Sequence, residues 1–179
     1  MSDGLSFSVV EYWCKKKMRP EENQWKKYLI SLYDTGVNFK LFIRNDFLDK
    51  RAFYCGFHFQ IPVPGFIFIP RTYKSYKLRK QDNQKSLYKT MIHEYSHHIA
   101  IQKFSDHTHR DSQTCIEIYL NYLAQKKDPG LKLRSDNILE TMTIFSPYVL
   151  KKVQKAFGPE HHDVFEEIIE KSAQKRKNA

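Results

Sequence analysis

The chain has 179 residues, a formal net charge of +10, 13 Phe and 11 Tyr. That length suits one domain with a core of its own, and so aromatic a composition excludes disorder for most of it. Three scattered cysteines (Cys14, Cys55, Cys115) with no CxxC pair exclude a disulfide framework and a cysteine zinc knuckle, and point to thiols kept in a reducing compartment.

Met1–Val10 lacks a charged segment followed by an apolar one, so no signal peptide is expected. No apolar run approaches the roughly 18 residues that a membrane span needs. The expectation is a soluble, cytoplasmic protein. The positive charge permits binding to DNA or another polyanion, and equally suits a solvated basic surface.

Pro20 followed by Glu21 and Glu22 predicts a helix start, with proline in the first turn and acids at the positive end of the dipole. Trp25, Leu29 and Leu32 form its apolar face, and Asp34-Thr35-Gly36 stops it. From Val37 to Ile43 apolar and polar residues alternate, which predicts a strand. Ala52–Ile61 is aromatic and β-prone, with a bulge or close approach at Gly56. Pro62-Val63-Pro64-Gly65 is a turn, and Phe66–Ile69 a short buried strand ended by Pro70. The next stretch is the most basic: Arg71, Lys74, Lys77, Arg79 and Lys80, interleaved with Tyr73 and Tyr76. Basic and aromatic residues together can hold a nucleic-acid strand through phosphates and stacking.

Ser86–Phe104 contains neither Gly nor Pro and predicts a helix, with Leu87, Met91, Tyr95 and Ile99 as its buried stripe. A polar loop, Ser105–Asp111, leads to a helix ending near Lys126, with Cys115, Tyr119, Tyr122 and Leu123 in its apolar set. Asp128-Pro129-Gly130 ends it. A helix from Ser135 is interrupted at Pro147 and resumes to Phe157, and a last one begins after Gly158-Pro159. These elements predict an α+β fold. A small sheet of three or more strands, antiparallel or mixed, packs on the 86–104 helix, and a helical C-terminal half follows. Residues 1–130 form the expected core and 131–179 a helical extension packed on it within a single domain.

Within the 86–104 helix stands His93-Glu94-Tyr95-Ser96-His97, an H-E-x-x-H motif. Residues four apart on a helix share a face, so His93 and His97 can present imidazole nitrogens to one metal ion. His93 lies about 200° from Met91, which turns the pair away from the buried stripe. Glu94, about 100° from His93, can reach a water held by that metal. Two ligands and a general base in five residues is the arrangement of a zinc hydrolase. Zinc would lower the pKa of its water toward about 7 and polarise the scissile carbonyl. Glu94 would take the proton and pass it to the leaving amine. Tyr95, or a histidine of the 107–109 loop, is a candidate to stabilise the oxyanion.

A catalytic zinc takes three protein ligands and a water. The candidates for the third are His109 and His107 on the loop and Glu117 on the helix beyond it. His98 points about 100° away from the pair and reads as a core or supporting residue. His161 and His162 read as a surface pair, and His58 as an exposed strand residue.

The motif helix, with the loop and helix after it, resembles the zincin metallopeptidases. Thr90–His98 resembles the SprT-like group over residues 50–125. That group takes its third ligand from a loop histidine, which implies His109. It follows that histidine with Gly and then an aromatic residue, where this chain has Arg110 and Gln113. Glu117 with Asn121 and Ala124 is similar to the Glu-x-x-x-Asn-x-x-Ala run of ImmA/IrrE-like peptidases, and Glu117 has the separation from His97 found in gluzincins. That resemblance implies Glu117 as ligand. The zincin resemblance further implies that the strand before the motif helix, Phe66–Ile69, forms the cleft wall along which substrate adds as a strand. The SprT-like resemblance and the charge suggest action on DNA-associated proteins; the ImmA/IrrE-like one suggests cleavage of a specific regulator. A third expectation is a zincin-like binding module with little or no catalysis.

Overall fold

The computed structural model describes residues 12–44, 53–55, 65–69, 80–104, 110–131 and 137–178, with the backbone alone given for 53–55, 80–86 and 110. After a helical turn at 12–15, helix α1 (Pro20–Leu32) begins where the Pro20-Glu21-Glu22 signal places it. The Glu22 carboxylate reaches back to the Arg19 N–H at 2.6 Å and closes the first turn. Leu29 and Leu32 are buried and Trp25 partly so. Gly36 adopts φ of +71°, a conformation that favours glycine, and its N–H bonds to Asp34 Oδ1 at 2.9 Å.

Strands β1 (Phe39–Ile43), β2 (Phe53–Cys55) and β3 (Gly65–Ile69) form one sheet in the order β1-β3-β2. The sheet is mixed rather than antiparallel. β1 and β3 run parallel over five residue pairs, from Phe39–Gly65 to Ile43–Ile69, and β2 pairs antiparallel with β3 over three. A parallel pair needs a long crossover, and the chain between Ile43 and Gly65 supplies it. β3 is therefore central, with partners on both sides. That corrects the expectation of Phe66–Ile69 as a cleft wall able to accept a substrate strand. On the other side of β1, Leu41 N–H faces Met18 Sδ at 3.2 Å and Ile43 N–H bonds to Glu22 Oε1 at 3.0 Å, so side chains cap that edge as well.

Both faces of the sheet are buried, which is why β1 and β3 carry apolar residues almost without interruption. Phe39, Leu41, Ile43, Ile67 and Ile69 face the main core. Phe42, Phe66 and Phe68 lie on the other face, where Trp13 packs on Phe42 and Phe68 at ring separations of 4.8 and 4.9 Å. Val37, read as the first residue of the strand, is exposed and precedes it.

Helix α2 (Lys80–Phe104) starts six residues before the sequence expectation and ends with it. It packs against α3 (Arg110–Lys127) as a helical hairpin. Helices α4 (Ile138–Met142), α5 (Pro147–Phe157) and α6 (His162–Lys177) follow, with a 3₁₀ turn at Pro159–His161 before α6. Ser146 caps α5 by accepting from Val149 N–H, and Pro147 occupies the position where a helix needs no N–H. One hydrophobic cluster runs from Leu29 and Leu41 through Tyr119 to Phe165 and Ile169, so the C-terminal helices share the core of the first 130 residues. No helix among the described residues is long and apolar enough to cross a membrane.

Candidate metal centre

Met91, Tyr95 and Ile99 of α2 are buried in the core, and His93 and His97 on the other side of the helix are partly exposed. The stripe and the pair are separated as the helical period requires. The two imidazoles turn toward each other, with Nε2 of His93 and Nε2 of His97 3.3 Å apart. Two nitrogens bound tetrahedrally at about 2.0–2.1 Å from one ion are separated by about 3.3–3.4 Å, so the pair has the spacing of zinc ligands. Glu94 is 6% exposed, a carboxylate held largely out of water whose charge acts on His93.

The second helix of the hairpin supplies Glu117. Its flanking residues Ile116 and Ile118 are buried, but Glu117 itself faces α2 rather than solvent. Its Oε2 lies 2.8 Å from His93 Nδ1. With Nδ1–H donated to Glu117, the His93 proton sits on the outer nitrogen and Nε2 keeps its lone pair toward His97. That hydrogen bond raises the His93 pKa, against burial, and the charges of Glu117 and Glu94 add to the rise. Glu117 meets the ring on the side away from the paired Nε2 atoms, and among the described residues no three His, Cys, Asp or Glu side chains close on one metal position. His107 and His109 lie outside the described residues, as do Arg71, Lys74, Lys77, Arg79, the Lys80 side chain and His58.

Two contacts around the pair carried no sequence expectation. Ser96 Oγ donates to the His93 carbonyl at 2.5 Å, and Gln113 Nε2 donates to Ser96 Oγ at 2.6 Å. The same Gln113 nitrogen lies 3.5 Å from Glu117 Oε2. The available signal was the spacing of Gln113 and Glu117, four apart on one helix face.

No family model, curated protein or solved structure matches this chain.

Tyr95 is no oxyanion group: its ring is fully buried and its hydroxyl donates to the Tyr33 carbonyl at 2.5 Å. His98 is a core residue, stacked on Tyr95 and tilted on Phe39, with Nε2 3.1 Å from Thr35 Oγ1. Burial pushes its pKa down to about 4; a backbone contact with Val37 opposes this and Lys26 adds to it. Of the expected surface pair, His162 is exposed, whereas His161 is partly buried: it packs on Tyr119 and Phe157, with its Nδ1 2.8 Å from the Tyr119 hydroxyl. Cys115 is a buried free thiol, and burial raises it far above the usual thiol range.

Proposed function

We propose that this protein is a zinc-dependent peptidase whose metal is held by His93 and His97. The 3.3 Å approach of their Nε2 atoms, on an H-E-x-x-H helix with its other face in the core, carries the reading. A zinc ion there supplies Lewis acidity that activates water near neutral pH. The chain's own part is to hold both Nε2 lone pairs toward one point, to bind the outer nitrogen of His93 with Glu117, and to place the Glu94 carboxylate beside that point. Glu94 accepts the proton of the attacking water and returns it to the departing amine nitrogen.

His109, Glu117 and His107 are the candidates for the third ligand, the two histidines lying outside the described residues. The ImmA/IrrE-like reading takes Glu117, with a specific regulator as substrate, but its contact with His93 Nδ1 lies on the side of the ring away from the paired Nε2 atoms and suits an outer partner of that histidine, so the carboxylate would have to turn to join the metal. The SprT-like reading takes His109, and the +10 charge supports substrates bound to DNA.

Metal content and proteolysis test the proposal together. Purified chain should hold one zinc, and Glu94→Gln should retain it while hydrolysis falls by at least about 10²-fold. An active Glu94→Gln protein refutes the mechanism. A metal-free wild-type chain, or a metal-loaded chain inactive on every peptide library, favours the binding module. Complete loss of zinc in His109→Ala or His107→Ala with only a weakening in Glu117→Gln assigns the loop histidine as third ligand and Glu117 as the outer partner of His93; normal zinc in both histidine variants with complete loss in Glu117→Gln assigns the carboxylate.

A further inference from the structure

Gln113 stands where the SprT-like pattern carries an aromatic residue, and the structure shows what it does instead. Its amide has two N–H donors. One bonds to Ser96 Oγ at 2.6 Å, and Nε2 also lies 3.5 Å from Glu117 Oε2. Ser96 Oγ in turn donates to the backbone carbonyl of His93, and Glu117 Oε2 meets Nδ1 of the same residue. The contacts form a closed circuit that starts at the His93 main chain and returns to the His93 ring. Gln113 and Ser96 are both buried, so water does not compete for these bonds.

We infer that Gln113 is a positioning residue for the metal centre, fixing the Glu117 carboxylate against His93 and pinning α3 to α2 at the motif. This rests on the metal-site reading above. It holds whether Glu117 binds the ion or only the outer nitrogen of His93, because in either role the carboxylate must be held beside the ring. A ring carbon or a methylene at position 113 offers no donor, so an aromatic residue there would do different work.

The test uses the full-length chain, with Zn²⁺ affinity measured against a chromophoric chelator and the visible spectrum of the Co²⁺-loaded protein. Gln113→Met keeps the volume and removes both donors, while Ser96 keeps its bond to His93. It should weaken Zn²⁺ binding about ten-fold, the scale found for outer partners of metal-bound histidines, and alter the Co²⁺ bands. The loss should be much smaller in a Glu117→Gln background, since the two residues act as one unit. Unchanged affinity and spectrum, or losses that simply add, overturn the inference. If Gln113→Met lowers the melting temperature of the metal-free chain, Gln113→Glu, equal in length and shape, is scored by the same readings. A wild-type chain that binds neither ion defeats the metal-site reading itself, an outcome distinct from a Gln113 variant that binds normally.

Discussion

Arg44→Met should destabilise this protein more than any surface substitution. Arg44 and Glu22 are 6% and 1% exposed, with Arg44 Nε and Nη2 each 3.0 Å from a different oxygen of Glu22. The carboxylate also accepts from Arg19 N–H at 2.6 Å and Ile43 N–H at 3.0 Å. Burial raises the Glu22 pKa, but the Arg44 hydrogen bonds, the two backbone donors and the Arg44 charge outweigh it and hold Glu22 below the usual carboxylate range. Removing the guanidinium leaves a buried anion whose remaining hydrogen bonds among the described residues come from two peptide N–H groups. Stranding one partner of a buried pair costs about 3–5 kcal/mol. At about 2–4 °C per kcal/mol for a chain of this size, the melting temperature should fall by roughly 6–20 °C. Urea denaturation at pH 7 reads this as a lower midpoint with unchanged slope. The pair joins the start of α1 to the end of β1, and Glu22→Gln/Arg44→Met should recover only part of the loss, because the amide oxygen accepts less strongly from two backbone donors. A loss under about 1 kcal/mol, the value of a surface ion pair, refutes the claim that burial governs this contact.

Stability should fall in mild acid through His98. Its folded pKa is depressed to about 4 from 6.5, so the neutral form is favoured by folding. The contribution is complete above pH 6.5 and is lost as pH falls from there toward 4, reaching about 3 kcal/mol at 1.36 kcal/mol per unit. Denaturation midpoints at pH 7 and 4.5 measure it, and an equal slope in His98→Phe assigns the acid lability elsewhere. Ile67→Ala, at a fully buried position in the central strand, should cost about 2–5 kcal/mol, checked by the urea midpoint; a cost under 1 kcal/mol contradicts the central place of β3.

Local chemistry made much of the fold legible in advance. The start of α1 at Pro20 follows from a proline and two acids whose effects act within one turn. The orientation of His93 and His97 away from Met91, Tyr95 and Ile99 follows from 100° per residue alone. That β3 is the central strand was not legible, because apolar runs buried on both faces carry no period that distinguishes a central from an edge strand. Tyr95 and His161 were misread for a related reason. Each has a polar tip whose partner, the Tyr33 carbonyl or the Tyr119 hydroxyl, lies far away in the chain.

By itself, then, the sequence determined a helix carrying two imidazoles on one face with a carboxylate beside them, since residues four apart coincide on any α-helix. Only the tertiary structure decided what lies opposite that face. Packing α3 against α2 brings Glu117 to His93 across a separation of 24 residues and lets Gln113 close the circuit through Ser96. Helical period sets which residues share a face. Which face meets which is set by the burial of Ile116, Ile118 and Tyr119 against the rest of the core, a property of the whole chain.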